Sequence, residues 1–382
     1  MQVLIAVDSF KGSMSSQKAG EAVAAGLKKA CPDAGFKIIP IADGGEGTTE
    51  ALVEAGGGTY LSFMATHPLG AKKVAAKIGL REDKTAIAEM AAASGLTLLA
   101  KEERNPFITT TRGTGELVKF ALDNGAKKIL LGIGGSATND GGAGFAQALG
   151  VKLLNKEGNE LSPGGQDLIN LAKIDVSGLD PRLKEVAVTV ICDVNNPLCG
   201  ELGASAVFGP QKGATPPMVA ELDQALAHFA QVVKDQLNID AKDMPGAGAA
   251  GGLGYGLKVF ANAEFKSGID AVLDFVNFDA ELQKCDLVIT GEGRVDAQSA
   301  YGKAPQGVGE RAKKQGKSVI AVAGSAAQGA EALYNCGIKA IVPIVTLPPG
   351  KVEIDYAIEN GFELIAELSE RMFRLIEIGK GL

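Results

Sequence analysis

The string GIGGSATNDGGAG at residues 132–144 constrains this chain more than any other. It follows the apolar run Ile129, Leu130 and Leu131 and precedes residues 145–149, which read as the start of a helix. Strand, glycine-rich turn and helix N-terminus in succession form an anion-binding layout, because bare backbone approaches a ligand closely and exposed N–H groups favour phosphate. The same loop carries Asn139 and Asp140, and an acid there would repel a bare pyrophosphate. A metal-bound phosphate resolves that conflict, with Gly134, Gly135, Ser136, Thr138 and Asn139 as donors and Asp140 holding the metal directly or through water.

Short apolar runs alternate with helical periodicity along most of the chain, which predicts α/β architecture with largely parallel strands. Strands are predicted at residues 3–7, 36–42, 185–192, 287–290, 318–323 and 340–345. Helices are predicted after Ser15 or Ser16, and at 48–55, 115–124, 216–236, 304–315, 330–335 and 362–378. Residues 59–88 break into shorter alternating pieces that predict antiparallel hairpins. Residues 246–256, GAGAAGGLGYG, are too rich in glycine for regular structure. The two ends of the chain share one style and the middle another. The expectation is therefore two α/β domains, one discontinuous (1–60 plus 285–382) and interrupted by the other (61–284), with a cleft between them.

Composition narrows the function. A net charge of −7 with no block of Lys and Arg disfavours nucleic acid. No apolar run approaches the ~18 residues of a membrane span, and Val3 to Val7 follow the first Met without a basic leader, so a cytoplasmic protein is expected. Five cysteines form no CxxC pair and read as buried thiols. Two histidines leave no His-rich zinc site. His67 precedes Pro68 in a turn and His228 sits on the 216–236 helix; with no G-x-S-x-G elbow at Ser136, hydrolase chemistry fits poorly.

An acid recurs just past predicted strand ends: Asp8, Asp43, Asp193 and Glu292, joined by Glu46, Asp140 and Asp296. In open parallel sheets ligands bind beyond those ends, and several carboxylates in an acidic protein call for a hard cation such as Mg2+. Cations stand in the same glycine-rich strings: Lys11, Lys212, Arg294 and Lys303, with Arg112 as a carboxylate clamp. Each acid alone also fits a helix cap or turn, and each lysine a solvated loop tip. Neither a Walker A string nor the HRD and DFG strings of protein kinases occur. Residues 132–137 satisfy G-x-G-x-x-A, which keeps an NAD-dependent dehydrogenase in view, although Asp140 would then face the pyrophosphate.

Eight strings taken together resemble the bacterial glycerate kinase family, type 1. They are DSFKGS (8–13), ADGGEGT (42–48), RNPFITTTRGTGE (104–116), the 132–144 loop, DVNNPL (193–198), FGPQKGA (208–214), PGAGAAGGLGYG (245–256) and TGEGRVDAQSAYGK (290–303). The resemblance spans almost the whole chain. It implies ATP-dependent phosphorylation of D-glycerate, 2-phosphoglycerate being the usual product, with 3-phosphoglycerate or a non-catalytic sugar-acid sensor as alternatives. On that reading ATP and Mg2+ meet Gly134, Gly135, Ser136, Thr138, Asn139 and Lys212, with Asp140 and Asp193 at the metal. Asp193 orients or deprotonates the hydroxyl, with Asp296 as competitor, while Lys11 and Arg294 stabilise the transferred phosphoryl group or bind the glycerate carboxylate. Asp8, Ser9, Lys11, Asp43, Arg112 and Glu292 contact glycerate, and the enzyme acts as monomer or homodimer without nucleic-acid or membrane partners.

Overall fold

The computed structural model describes all residues except 42–48, 50, 51, 54–56, 301, 346–350 and 381–382. The chain forms two compact units, Met1–Gly56 with Ser267–Leu382, and Gly57–Lys266.

The first unit begins with β1 (Gln2–Val7), buried from Val3 onward, as expected of a strand covered on both faces. The helix Ser16–Ala30 follows. Ser15 caps it by accepting from the Lys18 N–H at 3.4 Å. Lys28 and Lys29 lie in the last turn, where the helix dipole favours cations, and Pro32 lies just beyond the Cys31 cap. Next is β2 (Gly35–Ile38), shorter than the predicted 36–42. The Ile39 N–H still bonds Ile5 O at 2.8 Å, but Pro40 has no donor to continue the ladder. The predicted 48–55 helix falls largely outside the described residues; Thr49, Leu52 and Val53 are helical.

In the second unit β3 (Gly58–Thr66) and β4 (Lys73–Arg81) form an antiparallel hairpin, and β4 pairs antiparallel with β5 (Thr85–Glu89). The remaining pairs of this sheet are parallel: β5 with β6 (Lys128–Gly132), β6 with β9 (Ala187–Ile191), and β9 with β10 (Glu264–Lys266). Its order is β10-β9-β6-β5-β4-β3, with β7 (Lys152–Leu154) and β8 (Lys173–Asp175) as a separate ribbon. The helix Arg112–Asp123 covers the hairpin, stacking Phe120 on Phe63 at 4.4 Å between centroids.

One prediction fails here. Residues 246–256 are not irregular throughout, because a helix spans Ala249–Ala261, broken only where Ala250, Gly251 and Gly252 take positive φ. A Cβ on Gly252 would come within 2.7 Å of the Gly141 Cα, and one on Gly256 within 2.8 Å of Gly141 O. Glycine lowers helix propensity, but close backbone packing on the 132–144 loop decides the outcome.

The chain returns to the first unit with β11 (Leu287–Val295), β12 (Ser318–Ala326) and β13 (Ile338–Val345). Its all-parallel sheet has order β13-β12-β11-β1-β2. Numbered within the unit this is 2-1-3-4-5, a doubly wound order whose direction reverses between β1 and β11. The predicted boundary at 284/285 moves to Lys266/Ser267. The helix Gly268–Phe275 and the short helix Phe278–Leu282 carry Asp270, Asp274 and Asp279, all paired with Arg311 of the helix Ala304–Lys314.

The C-terminal helix Gly361–Lys380 lies against Ser16–Ala30 so closely that a Cβ on Gly26 would sit 2.3 Å from Ala366 O and 2.6 Å from Glu370 N. Gly26→Ala must push the two helices apart. Such overpacking costs about 1–3 kcal/mol, read as a lower urea midpoint with unchanged slope; an unchanged midpoint would contradict this packing.

Candidate functional site

Each unit presents chemistry at the carboxyl edge of its sheet. In the first unit the reversal between β1 and β11 makes that edge the natural crevice of a doubly wound fold. Asp8 leaves β1 there, its N–H bonded to Gly291 O at 2.9 Å and its carboxylate accepting from the Ser9 N–H at 2.6 Å. Strand β11 is longer than predicted, so Glu292 and Arg294 lie within it, in the stretch that pairs β12 beyond its last partner on β1. Glu292 is buried and accepts from the Ser299 hydroxyl, with Lys303 Nζ 3.6 Å away.

Arg294 is mostly exposed and stands 3.8 Å from Asp296. Asp296 begins a turn, accepting from the Gln298 N–H at 2.9 Å and donating its own N–H to Ser299 Oγ at 3.1 Å. Lys11 is exposed and forms no ion pair among the described residues. Asp43, and Glu46 with it, lie outside the described residues. The unit thus gathers Asp8, Ser9, Lys11, Glu292, Arg294 and Asp296 on the loops and strand ends around one reversal point.

The second unit corrects the reading of the 132–144 loop. The N–H groups at the start of helix Ala143–Ala148 do point at an anion, but the anion is the chain's own Asp140. Thr111 N donates to Oδ2 at 2.8 Å, Gly142 N to Oδ1 at 3.1 Å and Gly144 N to Oδ2 at 3.2 Å. The Thr111 hydroxyl donates to the same carboxylate at 2.9 Å while accepting from Phe145 N at 2.9 Å. With this many donors and no exposed surface, Asp140 is a framework carboxylate instead of the expected metal ligand. Burial pushes its carboxyl above the usual range, and the Thr111, Gly142 and Gly144 donors oppose that shift.

Lys212 was expected at a nucleotide and is likewise turned inward. Its Nζ donates to Thr138 O at 2.7 Å in a fully enclosed position. Burial lowers the ammonium to about 7, with Asp140 opposing. Asn139 donates to Ser205 Oγ at 2.9 Å, and Thr138 is equally buried. Four of the eight strings that carry the family resemblance, 104–116, 132–144, 208–214 and 245–256, therefore meet one another in the interior.

What remains open at this edge is smaller. Gly134 and Gly135 are exposed beyond β6, and Asp193 is exposed beyond β9. These strands are neighbours, with Gly132 opposite Ile191, so both features leave the sheet side by side. Ser136 is buried beside them. Arg112 is placed elsewhere: it pairs with Glu116 at 3.7 Å and lines a surface groove with Lys119, Gln147 and Arg182, whose lining includes neither Gly134 nor Asp193. Sequence reasoning overlooked Thr111, Ser205 and Ser299, because a hydroxyl in a polar string gives no sign of the partner it meets.

The fold is mixed α/β with largely parallel sheets, and strand-end acids with exposed cations are the equipment of a phosphotransferase acting on an alcohol. Comparison with known proteins is decisive on the family. The model of the glycerate kinase family matches residues 3–377. A glycerate kinase of Bacillus subtilis is 51% identical over 98% of this chain and 96% of its own length. A protein named glycerate 2-kinase from Escherichia coli is 48% identical over 99% of both. A solved structure from Salmonella typhimurium LT2, described as a glycerate kinase 2, superposes with a TM-score of 0.90 at 44% identity and covers all of both chains. The chain belongs to the glycerate kinase family.

The buried pair yields two predictions. Asp140→Asn turns an amide donor toward the N–H groups of Thr111, Gly142 and Gly144 and leaves buried donors unsatisfied, a loss of about 1–3 kcal/mol per group, measurable by urea unfolding. For pH, burial lowers the folded lysine to about 7 while the unfolded one keeps its proton up to the ordinary lysine value of 10.5. The cost of burying the cation is full below about pH 7, and stability rises with pH across the window between the two values. The wild type should therefore gain on Lys212→Met as pH is raised from 7 to 10, and parallel stability curves would refute the assignment.

Proposed function

We propose that the protein phosphorylates D-glycerate with Mg-ATP and that the product is 2-phosphoglycerate. The observation that carries this reading is the match to the glycerate kinase family along nearly the entire chain, including the E. coli protein named glycerate 2-kinase. Phosphoryl transfer needs positioning and charge neutralisation more than covalent chemistry. That demand suits free cations and strand-end acids, and asks for no His or Cys nucleophile.

Lys11 and Arg294 neutralise charge on the transferring phosphoryl group. Asp193 takes the proton from the attacking hydroxyl, its exposure leaving it open to a substrate, with Asp296 the competing base. The exposed backbone of Gly134 and Gly135 offers N–H groups to an oxyanion. Asp8, Ser9 and Glu292 bound the first unit's edge, where Ser299 and Lys303 hold Glu292 in place. Mg2+ enters as part of the nucleotide substrate. The donor set fits that role, since Asp8 and Asp296 offer hard oxygens and Mg2+ usually takes one or two carboxylates together with phosphate oxygens and water. Among the described residues no cluster of three or more acids, His or Cys forms a dedicated cage.

Turnover of D-glycerate with Mg-ATP, followed by phosphorus–proton coupling in NMR, tests the reading. Coupling to the single C2 proton is expected; coupling to the C3 methylene would transfer the product to 3-phosphoglycerate, and absence of product would remove the substrate assignment. Asp193→Asn should lower kcat by at least about 100-fold, the scale of general acid–base contributions, with little change in ATP affinity. Near-normal turnover in that variant would pass the role of base to Asp296.

A further inference from the structure

The first unit contains a cavity whose lining, Lys11 apart, has no part in the roles above. It has a volume of about 90 Å3 and lies where β11, β12 and β13 end, bounded by Phe10 and Lys11 after β1, by Gly293, Gly324, Ser325, Ile344 and Val345 of the strands, and by the helix Lys351–Glu359.

We propose that this cavity receives the aromatic base of the nucleoside triphosphate, with Lys11 at its mouth meeting the phosphates. The inference rests on the kinase reading above and deepens it by placing the base. Four observations support it. First, the position is the carboxyl edge of a doubly wound parallel sheet, next to the reversal between β1 and β11, where such sheets hold their ligands.

Second, the floor is bare backbone. Strands β11 and β12 approach so closely that a Cβ on Gly324 would lie 2.4 Å from Gly293 O. Both glycines line the cavity and put no side chain into it. Third, the opposite wall is an uncovered apolar pair: Ile354 and Ile358, one helical turn apart, remain 43% and 38% exposed although both line the cavity. A ring inserted between them and the glycine floor removes that surface from water.

Fourth, size and polarity select among the two substrates. A water needs roughly 10–15 Å3 on the same measure, so 90 Å3 suits one fused heteroaromatic ring and leaves the sugar and phosphates outside. Glycerate, a small polyhydroxy anion, finds mostly apolar walls here. The Ser13 hydroxyl is already bonded to Ile358 O at 2.7 Å, which leaves Lys11 as the cation at the rim. That cation pairs with no acid among the described residues, and a triphosphate extending from the cavity supplies its counter-charge.

The test uses Ala357→Phe, which fills the cavity from a surface helix, with ADP and tripolyphosphate as the probes. The expected result is at least a tenfold rise in the dissociation constant for ADP and in KM for ATP, with KM for D-glycerate and the affinity for tripolyphosphate unchanged. ADP bound by the variant as tightly as by wild type overturns the inference. Should the variant fail to fold, as judged by circular dichroism, 2-azido-ADP photolabelling of the wild type decides instead. Label on the peptide containing residues 344–358 supports the cavity, and label confined to the 132–144 loop refutes it. The two readings fail separately: ADP labelling the cavity in a protein that does not phosphorylate glycerate leaves this inference standing and removes the substrate.

Discussion

A carboxylate sealed inside a protein must be answered by donors, and the answer given to Asp140 organises the second unit. Its oxygens collect the Thr111 N–H and hydroxyl and the N–H groups of Gly142 and Gly144, at 2.8 to 3.2 Å. That arrangement joins the start of helix Arg112–Asp123 to the start of helix Ala143–Ala148. Lys212 then fixes Thr138 O on the approach to the same turn. Each partner alone would be a costly buried charge. Together they let polar strings from four parts of the sequence close over one another in the interior.

The first unit solves a different problem. Its buried acids Asp8 and Glu292 and its exposed cations Lys11 and Arg294 lie at the reversal of a parallel sheet, where the divergence of successive crossovers leaves a crevice without special side chains. Glu292 is held by Ser299 and Lys303, and Asp296 shapes the turn that carries Ser299. The acids there are thus held by short local contacts, while Lys11 pairs with no acid among the described residues. The second unit's charges Asp140 and Lys212 are enclosed in its interior, whereas Arg294 and Lys11 of the first unit remain exposed.

The sequence revealed the parallel strands well, because Val3 to Val7 and Leu287 to Thr290 are buried on both faces and must be continuously apolar. The hairpins of β3 and β4 were equally visible in the shift to shorter alternating runs. Three things were not visible. The helix Gly268–Phe275 was placed in the wrong unit, since its partner Arg311 lies some forty residues away and periodicity does not say which neighbour a face will meet. The helix Ala249–Ala261 was missed because its glycines serve packing against Gly141 and Gly142, a tertiary reason that overrides local propensity. Asp140 was misread as a ligand because a side chain's choice between folding inward and facing outward leaves no trace in spacing.

The misreading of Asp140 has a physical lesson. A glycine-rich turn before a helix does create a field for an anion, and that part of the argument holds: the N–H groups are there and an anion sits on them. What the motif cannot specify is whose anion it is. When the loop itself contains an aspartate three residues before the first helical residue, the intramolecular carboxylate has an effective concentration no free phosphate matches, and it takes the position unless another charge draws it away. The buried Lys212, bonded to Thr138 O, helps to close the interior over that choice. The part of the string that stays exposed is the backbone at Gly134 and Gly135, earlier in the loop. A string that looks like a binding motif is thus divided in two, its second half building the scaffold that holds its first half open.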